Sequence, residues 1–246
     1  MNKIFVFDID GTLTPARKPI EPEFAAYFNR FCKFNDVYLC TGSDWTKVRE
    51  QIPERILSNV KGVFTCSGNS YWFGKFLMGR EDFSLRKEFS PPISLLKDLE
   101  KFVSASKCPK KTSLHIETRV GMLNFSTVGR NCSDLERKEY AAWDGETGER
   151  KKIVDFLSNK YPELSFNIGG EISIDIHPKG WDKSHAIKTI KTWNPKSNIY
   201  FFGDRIREGG NDMPAAMALG PLDRAYPVEG PQETQKILET MFSASC

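Results

Sequence analysis

A chain of 246 residues, 39% hydrophobic and 27% charged, has material for one large domain or two modest ones with packed cores. Thirty-five basic against 32 acidic residues leave a net charge of +3, too small and too interspersed to point to nucleic acid. No run reaches the roughly 18–20 apolar residues of a membrane helix, and the start Met1-Asn2-Lys3 does not lead into a signal sequence. Six scattered cysteines without a C-x-x-C pair, beside three histidines, argue against zinc and suit reduced thiols in a cytoplasmic protein.

Taken in chain order, a buried strand is predicted at residues 4–7, ending in Asp8 and Asp10. A helix over 23–34 follows, then a strand over 36–40. A helix from Asp44 towards residue 57 is kinked at Pro53, and a short strand covers 63–64. Residues 71–77 read as a hairpin turned at Gly74, and the charged stretch 80–92, ending in Pro91-Pro92, as a linker. Next come a helix over 93–104, an alternating segment 114–125 interrupted at Val120-Gly121, and a helix opened by the capping box Ser133-x-x-Glu136. A helix over 149–161 and an alternating strand over 172–176 complete this part. Alternation of that kind suits an antiparallel sheet with one covered face. Beyond Trp181 the α/β pattern returns, with a helix over 183–193, a strand over 198–202 and a C-terminal helix over 233–242. The expected organisation is an α/β core with a parallel sheet (1–82 and 184–246) interrupted by an α+β insert with an antiparallel sheet (83–183).

Three core strands end in polar groups. Asp8 and Asp10 close the first, and buried carboxylates need a partner, of which a metal ion is the obvious one. The second ends in Thr41-Gly42-Ser43-Asp44 ahead of a helix, where hydroxyls and N–H groups suit an anion, although Ser43 or Asp44 as a plain N-cap explains the same residues. The last runs into Gly203-Asp204 and then Gly209-Gly210-Asn211-Asp212. Asp204 and Asp212 would complete an oxygen shell for Mg²⁺ with Asp8 and the backbone carbonyl of Asp10. Asp182 caps the helix that follows it, leaving Lys183 to neutralise charge at Asp8. Phosphoryl transfer needs an in-line nucleophile, charge neutralisation and proton management on the leaving oxygen, roles that Asp8, Lys183 with a metal, and Asp10 could fill.

The insert carries arginines that an enzyme for a small phosphate would not need, Arg119, Arg130 and Arg137, although a solvated basic surface explains any one of them taken singly. Alternation puts Ser173 and Asp175 on one non-apolar face, fit to hold sugar hydroxyls.

The start Asp8-Ile9-Asp10-Gly11-Thr12-Leu13-Thr14 resembles the haloacid-dehalogenase superfamily of Mg-dependent phosphoryl-transfer enzymes. The blocks Gly42-Ser43-Asp44, Pro109-Lys110-Lys111, Gly121-Met122-Leu123-Asn124, Gly129-Arg130-Asn131-Cys132-Ser133, Ile168-Gly169-Gly170-Glu171-Ile172-Ser173-Ile174-Asp175 and Gly180-Trp181-Asp182-Lys183 narrow this. In that order, and over nearly the whole chain, they resemble the eukaryotic-type α-phosphomannomutases. The resemblance implies a Rossmann-type core with an inserted cap, phosphorylation of Asp8, and acid/base work at Asp10. It also implies hexose-phosphate binding by Arg17, Arg119, Arg130, Arg137, Ser173 and Asp175. Mg²⁺, a hexose 1,6-bisphosphate activator and a homodimer through the cap complete what it implies, for an enzyme interconverting mannose 6-phosphate and α-mannose 1-phosphate.

Two stretches depart from that pattern. Where the family reads Gly-Asp-Lys-Thr-x-Pro-Gly-Gly-Asn-Asp, this chain has Ile206 for Thr and Glu208 for Pro, and Cys66-Ser67-Gly68-Asn69 replaces a Glu-Asn-Gly block. The ending Asn211-Asp212-Met213-Pro214-Ala215 is closer to sugar phosphatases of the wider superfamily, so a Mg-dependent sugar phosphatase is the alternative reading. A non-catalytic sugar-phosphate binder is a further one, opposed by the intact Asp8, Asp10, Lys183 and Asp204.

Overall fold

The computed structural model describes residues 2–74 and 79–242. The chain forms two compact units, Met1–Arg86 with Trp181–Cys246, and Lys87–Gly180.

In chain order the first unit contributes β1 (Lys3–Phe7), α1 (Pro22–Phe34), β2 (Asp36–Cys40), α2 (Trp45–Gln51), α3 (Glu54–Leu57), β3 (Gly62–Thr65), β4 (Ser70–Phe73) and β5 (Arg80–Glu81). The second unit holds α4 (Ile93–Ala105), β6 (Ile116–Arg119), β7 (Met122–Phe125), α5 (Asp134–Thr147), α6 (Glu149–Lys160), β8 (Leu164–Gly169) and β9 (Ser173–Pro178). The chain then returns to the first unit with α7 (Ser184–Trp193), β10 (Asn198–Gly203), α8 (Met213–Met217), β11 (Arg224–Pro227) and α9 (Pro231–Met241).

The core sheet has the order β11-β10-β1-β2-β3-β4-β5. It is parallel from β11 to β3 and antiparallel at β3–β4 and β4–β5. Both faces of β1 are buried, which is why the strand is continuously apolar. Phe5 and Phe7 pack with Phe28, Phe31, Leu39 and Phe202 on one face, and Ile4 and Val6 with Ile187, Ile190 and Phe201 on the other. The Phe7 and Phe202 rings stack at 4.7 Å. Register sets Phe7 opposite both Phe202 and Leu39, so β1, β2 and β10 end level and release their next residues at one edge.

In the second unit four antiparallel strands run β6-β7-β9-β8. Leu123, Phe125, Phe166, Ile174 and Ile176 form its apolar face, packed with Leu95 and Leu99 of α4 and with Ile153 and Leu157 of α6. Glu117, Asn124, Asp175 and Asn167 lie in one cross-strand row. The Ser133–Glu136 capping box opens α5, and Gly148 at φ 64° ends it in the left-handed region before α6 begins. The fold is therefore α/β, with a mainly parallel core sheet and a separate antiparallel sheet.

Several expectations shift in detail. The helix from Asp44 is broken at Ile52-Pro53 into α2 and α3, because Pro53 cannot donate to the ladder. The hairpin arm after Gly74 returns as β5, while the expected residues 75–77 lie outside the described ones. The stretch read as a linker is tied to the core: the Glu81 carboxylate accepts from Ser70 Oγ and, at 2.5 Å, from Arg86 Nη1. Strands β8 and β11 and helix α8 were not anticipated. Leu164, Phe166 and Ile168 do alternate with polar residues, so the signal for β8 was present. The edge strand β11, Arg224-Ala225-Tyr226-Pro227, has no apolar run to announce it.

Candidate active site

The first residue beyond β1, Asp8, is 4% exposed, and its N–H donates to the Phe202 carbonyl at 2.9 Å, extending the ladder by one step. Lys183, at the mouth of α7, is fully buried despite opening a helix where lysines are ordinarily solvated. Its ammonium donates to Asp8 Oδ1 at 2.5 Å and to Asp212 Oδ1 at 2.6 Å. The N-cap position of α7 is Lys183 itself and not Asp182 as expected; Asp182, one residue earlier, accepts from Ser184 N at 2.9 Å. Asp212 also accepts from Arg205 N at 2.9 Å, and Asp204 from Arg205 Nε at 3.0 Å.

Two glycines make room for this cluster. A Cβ on Gly11, whose φ is +79°, would lie 2.6 Å from Asp204 Oδ2, and one on Gly203 would lie 2.7 Å from the Asp212 carboxyl. One carboxylate oxygen from each of Asp8, Asp204 and Asp212 falls within 4.8 Å of the others.

Electrostatics follow from that crowding. Burial, then the Asp212 and Asp204 carboxylates, push the Asp8 pKa well above the usual carboxylate range, with Lys183 opposing. Burial and Asp212 likewise raise Asp204. Burial works against the Lys183 ammonium, yet Asp212 and Asp8 outweigh it and its pKa rises. Burial pushes the neighbouring Cys40 thiol up to about 12, so it is inert at neutral pH.

Three carboxylates against the Lys183 ammonium and the Arg205 guanidinium leave one negative charge uncompensated, and their oxygens fit a hard divalent cation. The residues that would hold it are Asp8, Asp204 and Asp212. The Asp10 carboxylate is engaged elsewhere: Oδ1 accepts from Arg17 N at 2.5 Å and Gln51 Nε2 at 2.9 Å, and Oδ2 from Ser43 Oγ at 3.3 Å. Its side chain thus stands outside the three converging carboxylates, and only its backbone carbonyl is left for a metal.

Gln51 was missed by sequence reasoning. It is the last residue of α2, buried, and also donates to Thr14 Oγ1 at 3.2 Å, so it ties Asp10 to the turn behind it. Its burial comes from tertiary packing, so no local pattern marked it. Arg17 meets Asp10 through its backbone N–H, at φ 60°, while its side chain is exposed. Thr41 is buried, and its Oγ1 accepts from Ser43 N at 3.1 Å. Asp44 is the N-cap of α2, accepting from Lys47 N at 2.8 Å, which leaves Ser43 turned to Asp10.

The remaining predicted residues lie in the second unit. Arg119 pairs with Glu117 at 2.6 Å, Arg130 with the same carboxylate at 3.3 Å, and Arg137, 6% exposed, with Glu171 at 3.8 Å. Ser173 and Asp175 are both buried on the polar side of the sheet. Glu117 and Glu171, which balance these arginines, are residues that sequence reasoning did not pick out.

An acidic triad with a buried lysine, at the strand ends of this sheet, with a second unit inserted in the chain, defines an enzyme of the haloacid-dehalogenase superfamily. The family profile described as eukaryotic phosphomannomutase matches residues 24–244. A spinach phosphomannomutase is 34% identical over 97% of this chain and 95% of its own, and that of Saccharomyces cerevisiae 33% identical over 98% and 94%. Among solved structures, an IMP-bound Plasmodium falciparum IMP-nucleotidase mutant superposes with a TM-score of 0.63 at 14% identity, over 97% of this chain and 66% of its own, which speaks for the fold alone. The chain belongs to the eukaryotic phosphomannomutase family, and its activity is that of a phosphomannomutase.

Proposed function

We propose that the enzyme interconverts mannose 6-phosphate and α-mannose 1-phosphate by way of a phosphorylated Asp8 and a hexose 1,6-bisphosphate. The observation that carries this reading is Lys183 held between Asp8 and Asp212 in a fully buried position. An aspartate so placed is an oriented nucleophile with a cation at hand, which a pure binding protein would not need.

An Asp8 carboxylate oxygen attacks phosphorus of the bisphosphate while the bond from phosphorus to the sugar oxygen breaks, and Asp10 supplies the proton to that oxygen. In the return step Asp10 takes the proton from the unphosphorylated 1- or 6-hydroxyl of a hexose monophosphate, whose oxygen attacks phosphorus of phospho-Asp8; the bond from phosphorus to Asp8 breaks, giving back the bisphosphate and the free carboxylate. Lys183 compensates charge on the transferring group in both directions. A bound Mg²⁺ would supply further charge neutralisation at Asp8, Asp204 and Asp212. Arg17, Thr41 and Ser43 serve the transferred phosphate in this reading. The distal phosphate falls to Arg119, Arg130 and Arg137, and the sugar hydroxyls to Ser173 and Asp175, with the second unit, Lys87–Gly180, acting as the cap.

The proposal includes a homodimer through the second unit, where Ile93, Leu135 and Phe156 are exposed. It also includes a cytoplasmic location, in keeping with the free thiols of Cys32, Cys40, Cys66, Cys108 and Cys132. Among the described residues no helix is long and apolar enough to cross a membrane. Sedimentation velocity checks the dimer, and a monomer at micromolar concentration would refute it.

³¹P NMR with Mg²⁺, α-mannose 1-phosphate and a trace of hexose 1,6-bisphosphate tests the reaction. Mannose 6-phosphate as the main product is expected. Inorganic phosphate as the main product would replace this reading with the phosphatase one that the altered Asp204–Asp212 loop raises.

A further inference from the structure

The two oxygens of Asp175 have different surroundings. Oδ1 accepts a 2.6 Å hydrogen bond from Nδ2 of Asn124, which the β7–β9 register sets directly opposite. Beside Oδ2 stands Gly169, where a built Cβ would come within 2.9 Å, so a missing side chain keeps that flank clear. The backbone there is fixed. Ser173 Oγ donates to the Gly169 carbonyl at 3.1 Å. Arg150, paired with Asp144 at 2.7 Å, reaches the carbonyls of Gly169, Gly170 and Ser173 at 3.1–3.4 Å.

Asn124 is itself conspicuous. It is 2% exposed, and its Oδ1 is buried with no hydrogen-bond partner among the described residues. A half-satisfied buried amide carries a desolvation cost that an apolar side chain of like size would not. Its Nδ2 bond to Asp175 is the compensating gain that the structure shows.

We infer that Asn124 is a positioning residue: by holding Oδ1 of Asp175 it leaves Oδ2, over the bare Gly169, as the oxygen that accepts a sugar hydroxyl. This rests on the hexose-phosphate reading of Asp175 above. Asn124 acts through Asp175, and Gly169 matters for the volume it leaves empty. An alanine at Gly169 meets no positive-φ penalty and would act by crowding the Asp175 carboxyl, Oδ2 most closely.

The test is steady-state kinetics with mannose 1-phosphate on Asn124→Leu, Asn124→Ala, Gly169→Ala, Asp175→Asn and the double variant Asn124→Leu/Asp175→Asn. Expected are KM values raised about tenfold in the Asn124 and Gly169 variants with kcat within about twofold, and a double variant no worse than Asp175→Asn alone. Wild-type KM in a folded Asn124 variant, or losses that multiply in the double variant, would overturn the positioning role. If Asn124→Leu does not fold, Asn124→Ala and Gly169→Ala are read by the same criterion. Wild-type KM in Asp175→Asn would instead remove the substrate role of Asp175 itself.

Discussion

The two units handle charge in opposite ways. In the first, Asp8, Asp204 and Asp212 crowd together, with Lys183 against Asp8 and Asp212 and Arg205 against Asp204, and the excess is negative. In the second, Arg119 and Arg130 share Glu117, and Arg137 leans on Glu171, so the cations there are largely balanced by carboxylates. The first arrangement calls for a cation. In the reading proposed above, the second would take an anion in the place of a glutamate. A phosphomannomutase needs both, since one phosphate reacts while the other is only held.

The comparison can be broken most severely at the nucleophile. Asp8→Asn should cost at least about 10⁴-fold in turnover and abolish ³²P labelling of the protein by bisphosphate. Labelling that persists would move the nucleophile elsewhere. Next in size is Lys183→Met, which strands two buried carboxylates and should destabilise the metal-free protein by about 3–5 kcal/mol, measured by urea unfolding in EDTA. Loss within experimental error would mean that the cluster is not held by charge.

Gln51→Leu leaves the triad intact and removes one of the donors that aim Asp10, so kcat should fall about tenfold with KM little changed. A rise in KM alone would show Gln51 serving the substrate side instead.

The pH response separates the acidic cluster of the first unit from Asp98 of the second by sign. Asp8 and Asp204 have raised values, so the folded metal-free site holds protons that the unfolded chain releases. Their contribution therefore disfavours folding as pH rises through 3.8, and a cation opposes that by binding the ionised forms. Stabilisation by Mg²⁺, read as a shift in Tm, should shrink as pH falls from neutrality through the raised values. In the second unit the Lys160 ammonium, at 2.5 Å, lowers Asp98 to about 2, with Tyr161 assisting against burial. That contribution is present above 3.8 and lost as pH falls towards 2, the opposite sense. A Mg²⁺ shift independent of pH would separate the cation from Asp8 and Asp204.

The smallest effect is expected at Glu117→Gln, which frees Arg119 and Arg130 from their shared carboxylate. It should tighten hexose-phosphate binding by only a few-fold, since half-exposed ion pairs are worth about 1 kcal/mol or less. Weaker binding would mean that Glu117 orients the arginines more than it competes for them.

Much of this was legible in the chain itself. An apolar strand that stops in Asp8-Ile9-Asp10, and another that stops in Gly203-Asp204, identify their own ends, because a carboxylate does not continue a buried strand without a partner. Asp182-Lys183 before α7 and the Ser133–Glu136 box were equally local. What only the tertiary structure decided are the pairings between residues far apart in sequence. The burial of Lys183 between Asp8 and Asp212 is one, and the grip of Gln51 on Asp10 and of Asn124 on Asp175 are others. Strand order and register set those meetings, and register is fixed by the packing of whole strands rather than by any one residue. That is why the sequence named the carboxylates, while the groups that aim them became visible only in the fold.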